Sequence, residues 1–297
     1  MTRNDLYGFV PAAVTPFNEL GEIQFNSFGI IVDWLIGLGA TAICVGGDNG
    51  ESWALDAAER SDLVSMAVDV SNGRVPIISG CSAPTLDTCI KYAQAGENAG
   101  ASALLMMPPT YVLKGAKEEI IQRFKGVSKE TNLPLIAYNS PRRVGYSLSM
   151  DDLEAIMEVV DLIGIKESHR DFFHHTHLIR RFGQRMSVMV GPCHYILPAM
   201  ALGARGYIAT GPEFLGDNAA RIAELVKTAP NADYVATHNK LTDIYETLMA
   251  IGTWPSSFKA ALNLIGQPAG VPRDPVLPVN PEQLEKLKKL VHSQAST

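Results

Sequence analysis

Apolar and polar positions follow two alternating rhythms over the first 216 residues. Short apolar bursts, the pattern of strands buried on both faces, fall at 8–17, 42–45, 75–79, 103–106, 135–138, 162–165, 187–190 and 206–208. Between them, apolar residues recur every three or four positions and predict helices over 25–39, 56–70, 85–99, 117–129, 149–159 and 195–202. The first helix shows the logic: Phe28, Ile31, Trp34, Leu35 and Leu38 share one face, and Gly39 stops the run. Pro11 and Pro16 restrict pairing in the first strand segment. Strand and helix alternating in this way predict an α/β fold with a parallel sheet. Eight units within one composition regime favour a closed (β/α)8 (TIM) barrel over an open doubly wound sheet. No GxGxxG turn follows the first strand, which argues against a dinucleotide-binding fold.

Beyond about Gly216 the pattern turns purely helical, at 218–228, 232–249, 258–264 and 281–291, with a Pro-rich connector over 267–281. The expected organisation is a barrel over 1–216 and a C-terminal helical extension over 217–297, packed on the barrel rather than independent. A net charge of −6 argues against nucleic acid or an anionic membrane as partner. No apolar run has the length of a membrane span, and residues 1–7 lack the apolar core of a signal peptide. Cys44, Cys81, Cys89 and Cys193 are widely separated, with no CxxC pair. Reduced thiols and a cytoplasmic location are expected.

Barrel chemistry gathers at the carboxyl ends of the strands. Those ends carry Thr15, the turn 46–52, Tyr111, Tyr138 and Asn139, Lys166 and Glu167, and Gly191 with Pro192. Lys166 ends the apolar run 162–165. An ammonium there costs several kcal/mol to bury unless it is paired or neutral. The same burial favours the free amine that a Schiff-base nucleophile needs. The glycine-rich turn 46–50 can present successive N–H groups to an anion, or simply be a tight connection. Tyr138 is a candidate proton shuttle, or a core tyrosine with its hydroxyl satisfied. Arg143 could clamp a carboxylate, although most loop arginines are only solvated. His174 and His177 share a helix face without the further ligands zinc requires, so a polar face is expected and no metal. Cys81 and Cys193, near strand ends, read as buried structural thiols rather than nucleophiles.

The segments Gly47-Asp-Asn-Gly-Glu-Ser52, Tyr138-Asn-Ser-Pro141 and Ile163-Gly-Ile-Lys-Glu167 resemble the signatures of the dihydrodipicolinate synthase / N-acetylneuraminate lyase family. The opening 11–17 and the segment 258–264 match as well, so the resemblance spans nearly the whole chain. It implies a class I lyase on a TIM barrel, usually tetrameric, with no metal or organic cofactor. Lys166 would form an imine with pyruvate or a related 2-oxo acid, and Tyr138 would move the protons. Main-chain N–H groups at Asp48 and Asn49 would bind the substrate carboxylate, with Gly191 and the Ile208 carbonyl nearby. Tyr111 matches a tyrosine contributed across a subunit interface, and Arg143 an arginine that holds the aldehyde's carboxylate in the synthases.

Two departures bear on the substrate. Asp48-Asn49 stand where the family usually has Thr-Thr or Ser-Thr, and a tyrosine pair is reduced to Thr110-Tyr111. An unpaired carboxylate at 48 would repel a bound carboxylate unless it is protonated or faces a hydroxyl-rich or cationic part of the substrate. The expected activity is aldol cleavage or condensation, or dehydration of a 3-deoxy-2-oxo acid. The alternatives are an authentic 4-hydroxy-tetrahydrodipicolinate synthase condensing pyruvate with aspartate semialdehyde, and a non-catalytic binder of oxo acids.

Overall fold

The computed structural model describes residues 1–111, 116–227 and 230–295. Among these residues lie eight parallel strands: β1 (Gly8–Phe9), β2 (Ile43–Val45), β3 (Ile77–Gly80), β4 (Ala103–Met106), β5 (Leu135–Asn139), β6 (Leu162–Glu167), β7 (Ser187–Val190) and β8 (Gly206–Tyr207). They run in the order β1-β8-β7-β6-β5-β4-β3-β2. The two ends of that order are joined as well. Thr41 N–H donates to the Phe9 carbonyl, Cys44 N–H to Pro11 and Ala13 N–H to Cys44, at 2.8, 2.9 and 2.9 Å. The sheet is therefore the expected (β/α)8 barrel.

The strands alternate with α1 (Phe25–Gly37), α2 (Ala57–Ser71), α3 (Leu86–Asn98), α4 (Lys117–Lys129), α5 (Pro141–Val144), α6 (Met150–Met157), α7 (Phe172–Phe182) and α8 (Ile196–Ala201). Side-chain oxygens start several of them. Asp56, Thr85, Ser149 and Asp171 accept from the first-turn amides of α2, α3, α6 and α7, and Glu59 and Asp152 close capping boxes. Each such cap contributes about 1 kcal/mol.

Two apolar layers hold the barrel. The lumen is filled by Leu6, Val10, Cys44, Ile78, Leu105, Ile136, Ile163, Met189 and Ile208, with Tyr138 among them. The outer layer packs the other strand face against the helices, through Phe28, Leu63, Phe124, Leu178 and Phe182. Each large aliphatic or aromatic side chain buried in this way contributes about 1.5–3 kcal/mol.

Several boundaries differ from expectation, each for a local reason. The first strand is only two residues long, because Pro11 and Pro16 have no N–H to donate; the chain continues past it as an isolated bridge from Ala12 to Cys44. The helix expected over 218–228 reduces to α9 (Ile222–Leu225). It follows a 3-10 segment, Pro212–Asn218, that breaks where Gly216 takes a positive φ of 56°. Thr228 lies outside the described residues. After it come α10 (Ala232–Ala250), α11 (Ser256–Leu264) and α12 (Pro281–Ala295). No helix among the described residues is long and apolar enough to cross a membrane.

Candidate active site

Tyr138 and Lys166 are register partners on the adjacent strands β5 and β6. Tyr138 sits in the lumen cluster, and the Lys166 Nζ lies 4.4 Å from its ring centroid. Lys166 is 5% exposed. Among the described residues its Nζ has no carboxylate and no hydrogen-bond acceptor; it rests over the face of the Tyr138 ring. Cys44 belongs to the same lumen cluster, its thiol pushed up to about 11 by burial, with the lysine charge opposing the shift. A lysine in such a place has no protein hydrogen-bond partner to displace before it meets a ligand in the cleft.

The next residue on each strand points the other way, toward the helix layer. Asn139 and Glu167 are again register partners, and Glu167 is fully buried. Asn139 Nδ2 donates to both Glu167 oxygens at 3.0 Å, the His169 N–H donates to Oε1 at 2.6 Å, and His174 Nδ1 lies 3.2 Å from Oε2. Asn139 Oδ1 in turn accepts from Leu148 N–H at 3.0 Å. This clamp fixes the strand ends that carry Tyr138 and Lys166. Burial pulls the His174 pKa down, but the Glu167 hydrogen bond and charge, the Leu148 carbonyl and Asp171 together hold it above the ordinary value. The expected polar histidine face is thus corrected. His174 turns inward onto Glu167, and the fully buried His175 bonds through Nε2 to the His169 carbonyl at 2.9 Å, while His177 packs on the Phe173 ring at 4.3 Å. Spacing along the chain could not show a carboxylate seven residues away in sequence and adjacent in space.

The turn after β2 is fastened from below and above. Arg60, on α2, donates to the carbonyls of Gly46 (3.0 Å), Gly80 (2.9 Å) and Ser52. Glu51, in the left-handed region at φ 55°, is buried against Lys259 of α11 at 2.7 Å. Lys259 Nζ also donates to the carbonyls of Thr15 (2.7 Å) and Val271 (2.5 Å). Burial lowers the pKa of Lys259 to about 8, with Glu51 opposing the shift. A depressed pKa alone would nominate this lysine as the nucleophile. Three acceptors enclose it and it does not line the cleft, so its role is to tie the turn to the C-terminal helices. Asn49 is similarly used: its Nδ2 donates to the carbonyl of Ala12 at 3.2 Å and to Thr210 Oγ1, and its Oδ1 accepts from Trp254 Nε1 at 3.1 Å. The main-chain N–H groups of Asp48 and Asn49 have no protein acceptor among the described residues.

Asp48 is not unpaired. Its Oδ2 accepts from Arg143 Nε at 3.0 Å, with the side chains 13% and 32% exposed respectively, and the guanidinium carbon sits 5.7 Å from the Trp53 ring. Neither a protonated Asp48 nor a cationic substrate is required to explain it. The sequence concealed this because Asp48 lies on the turn after β2 and Arg143 on α5, after β5.

These side chains converge on one cleft with about 580 Å3 of empty space, part of it open to solvent. Lys166, Tyr138, Asp48, Asn49, Arg143, Gly191 and Ile208 all line it. Tyr111, the remaining candidate, does not; it is 91% exposed, at a positive φ of 76°. Arg142, Thr210, Tyr245, Met249 and Trp254 line it without having been singled out. The last three belong to α10 and the turn after it, so the helical region completes the site. No local motif marked those three, because they reach the cleft only once the C-terminal helices fold onto the barrel. The four cysteines are buried, and burial pushes the Cys81 and Cys193 thiols up, out of the reactive range. Among the described residues no group of three or more His, Cys, Asp or Glu could hold a metal ion.

Comparison with known proteins places this geometry. The chain is 30% identical to 4-hydroxy-tetrahydrodipicolinate synthase 1 of Halalkalibacterium halodurans, over 96% of both chains. The crystal structure of the chloride-inhibited dihydrodipicolinate synthase from Acinetobacter baumannii, complexed with pyruvate, superposes with a TM-score of 0.90 at 27% identity, covering 98% of this chain and 99% of that one. N-acetylneuraminate lyase from Fusobacterium nucleatum shares the fold, with a TM-score of 0.86 at 24% identity over 97% and 99% of the two chains. The model of the Dihydrodipicolinate synthetase family matches residues 5–294. With a match of that extent around a barrel-mouth lysine and tyrosine, the chain belongs to the dihydrodipicolinate synthetase family.

Proposed function

We propose that the chain is a Schiff-base lyase in which Lys166 forms an imine with pyruvate or a longer 2-oxo acid. The observation that carries this reading is the Lys166 amine itself, nearly buried, with no anionic partner among the described residues, over the ring of Tyr138 in the shared cleft. The amine attacks the C2 ketone; loss of water leaves a protonated imine. That imine accepts the electron pair of the breaking C3–C4 bond, giving an enamine, while a C4 hydroxyl gives up its proton and the aldehyde departs. Protonation of the enamine at C3 and hydrolysis return pyruvate and the free amine. Loss of a C3 proton and a C4 hydroxide from the same imine would be the dehydratase course. Tyr138, whose hydroxyl has no hydrogen bond among the described residues, is placed to move these protons. The Asp48 and Asn49 amides would take the 2-oxo acid carboxylate, with the Ile208 carbonyl and Gly191 beside it.

The family likeness to a protein crystallised with pyruvate supports the 2-oxo acid half. The exposed Tyr111, strained for a non-glycine residue, would be covered by a neighbouring copy in the homotetramer that the family resemblance implies. The test of this reading is isotopic. Pyruvate incubated with enzyme in D2O should exchange its C3 protons, as an enamine requires. Lys166→Ala should stop the exchange. Exchange that persists in that variant would place the nucleophile elsewhere.

A further inference from the structure

The Asp48–Arg143 pair bears on what the rest of the substrate is, an inference that rests on the imine reading above. Asp48 Oδ2 and Arg143 Nε are joined at 3.0 Å. Among the described residues, Asp48 Oδ1 and both Arg143 Nη atoms have no further protein hydrogen-bond partner. The pair therefore offers the cleft one acceptor beside two donors, with no net charge. A carboxylate brought here could accept from the Nη atoms only while meeting the charge of Asp48, so the arginine's attraction is already spent. A hydroxyl can donate to Asp48 and accept from Arg143 at once. Two neighbouring hydroxyls can use both sides of the pair.

We propose that the half of the substrate distal to the 2-oxo acid is an uncharged, polyhydroxylated chain recognised by this ion pair. Asp48 then disfavours partners that would place a carboxylate at Arg143, by occupying that guanidinium. Arg142 lines the same cleft without a carboxylate partner among the described residues, its Nη1 being 3.4 Å from Met249 Sδ. It is a cleft-lining arginine that Asp48 does not occupy, so a carboxylate-ended partner held there is the rival reading.

The experiment compares kcat/KM for pyruvate condensation with glyceraldehyde and with aspartate semialdehyde. Wild type should favour glyceraldehyde at least tenfold. Asp48→Asn keeps the shape, frees Arg143, and should move the ratio at least tenfold toward the semialdehyde; Asp48→Thr is a second variant should the turn not tolerate asparagine. Arg74→Gln, at an exposed ion pair with Asp33 away from the cleft, is the control and should leave the ratio within twofold; Arg142→Gln tests the rival reading. A ratio unmoved by both Asp48 variants, a ratio moved by Arg142→Gln instead, or a wild type that prefers the semialdehyde would overturn the inference. Borohydride trapping of pyruvate on each protein separates the two layers. Intact trapping with an unmoved ratio sinks the hydroxyl inference alone, whereas absent trapping in wild type sinks the imine reading beneath it.

Discussion

At residue scale, the site depends on two side chains with different duties. Lys166 supplies a nucleophile, and Arg cannot replace it because guanidinium stays protonated and lacks a free amine. Tyr138 supplies a proton relay rather than a bond. Tyr138→Phe keeps the ring under the amine, so imine formation should survive while kcat falls about 10^2–10^4-fold, the usual contribution of a positioned acid or base. Trapping and steady-state rates measured on the same preparation check this. A variant with near-normal kcat would remove Tyr138 from the proton path. Because a protonated imine already provides the electron sink that a metal would offer, turnover should persist after exhaustive EDTA treatment. Loss of activity restored by a divalent ion would contradict it.

At the scale of elements, the pairing of β5 with β6 is held by a carboxylate that never meets substrate. Asn139→Ala removes the amide that bonds both Glu167 oxygens and should cost about 1.5–3 kcal/mol in denaturant unfolding. It should also lower kcat, since the neighbouring residues are Tyr138 and Lys166. His174 gives the clamp a pH dependence. Its folded pKa is raised, so its stabilisation is fully present below the unfolded imidazole value of about 6.5 and is lost as pH rises through the folded value. The Tm difference between wild type and His174→Gln should therefore shrink on going from acid to alkaline buffer; a difference that grows would reverse the sign assigned here. Most elements were legible in the sequence because buried parallel strands are apolar runs, and the residues of β4, α4 and β7 fall where the pattern put them. What escaped was set by tertiary contact. Arg143 was readable as a rim cation, but its partner Asp48 was not. The inward face of α7 looked polar because His174 meets the buried Glu167 and His175 the His169 carbonyl.

At the scale of the molecule, barrel and C-terminal helices meet at the buried Glu51–Lys259 pair, and Trp254 reaches across to Asn49. Lys259→Met leaves Glu51 buried without its cation. It should cost about 3–5 kcal/mol and, by loosening the turn 46–52, raise KM for pyruvate more than it lowers kcat. Unfolding curves and kinetics on the same variant check both parts. The barrel mouth, the tyrosine and the clamp all serve one covalent bond, and intact-mass analysis after borohydride reduction observes it directly. With pyruvate, wild type should gain the mass of one reduced pyruvyl adduct per chain, mapped to the peptide containing Lys166, and Lys166→Ala should gain none. An adduct of the same mass in Lys166→Ala, or none in wild type at saturating pyruvate, would contradict the assignment.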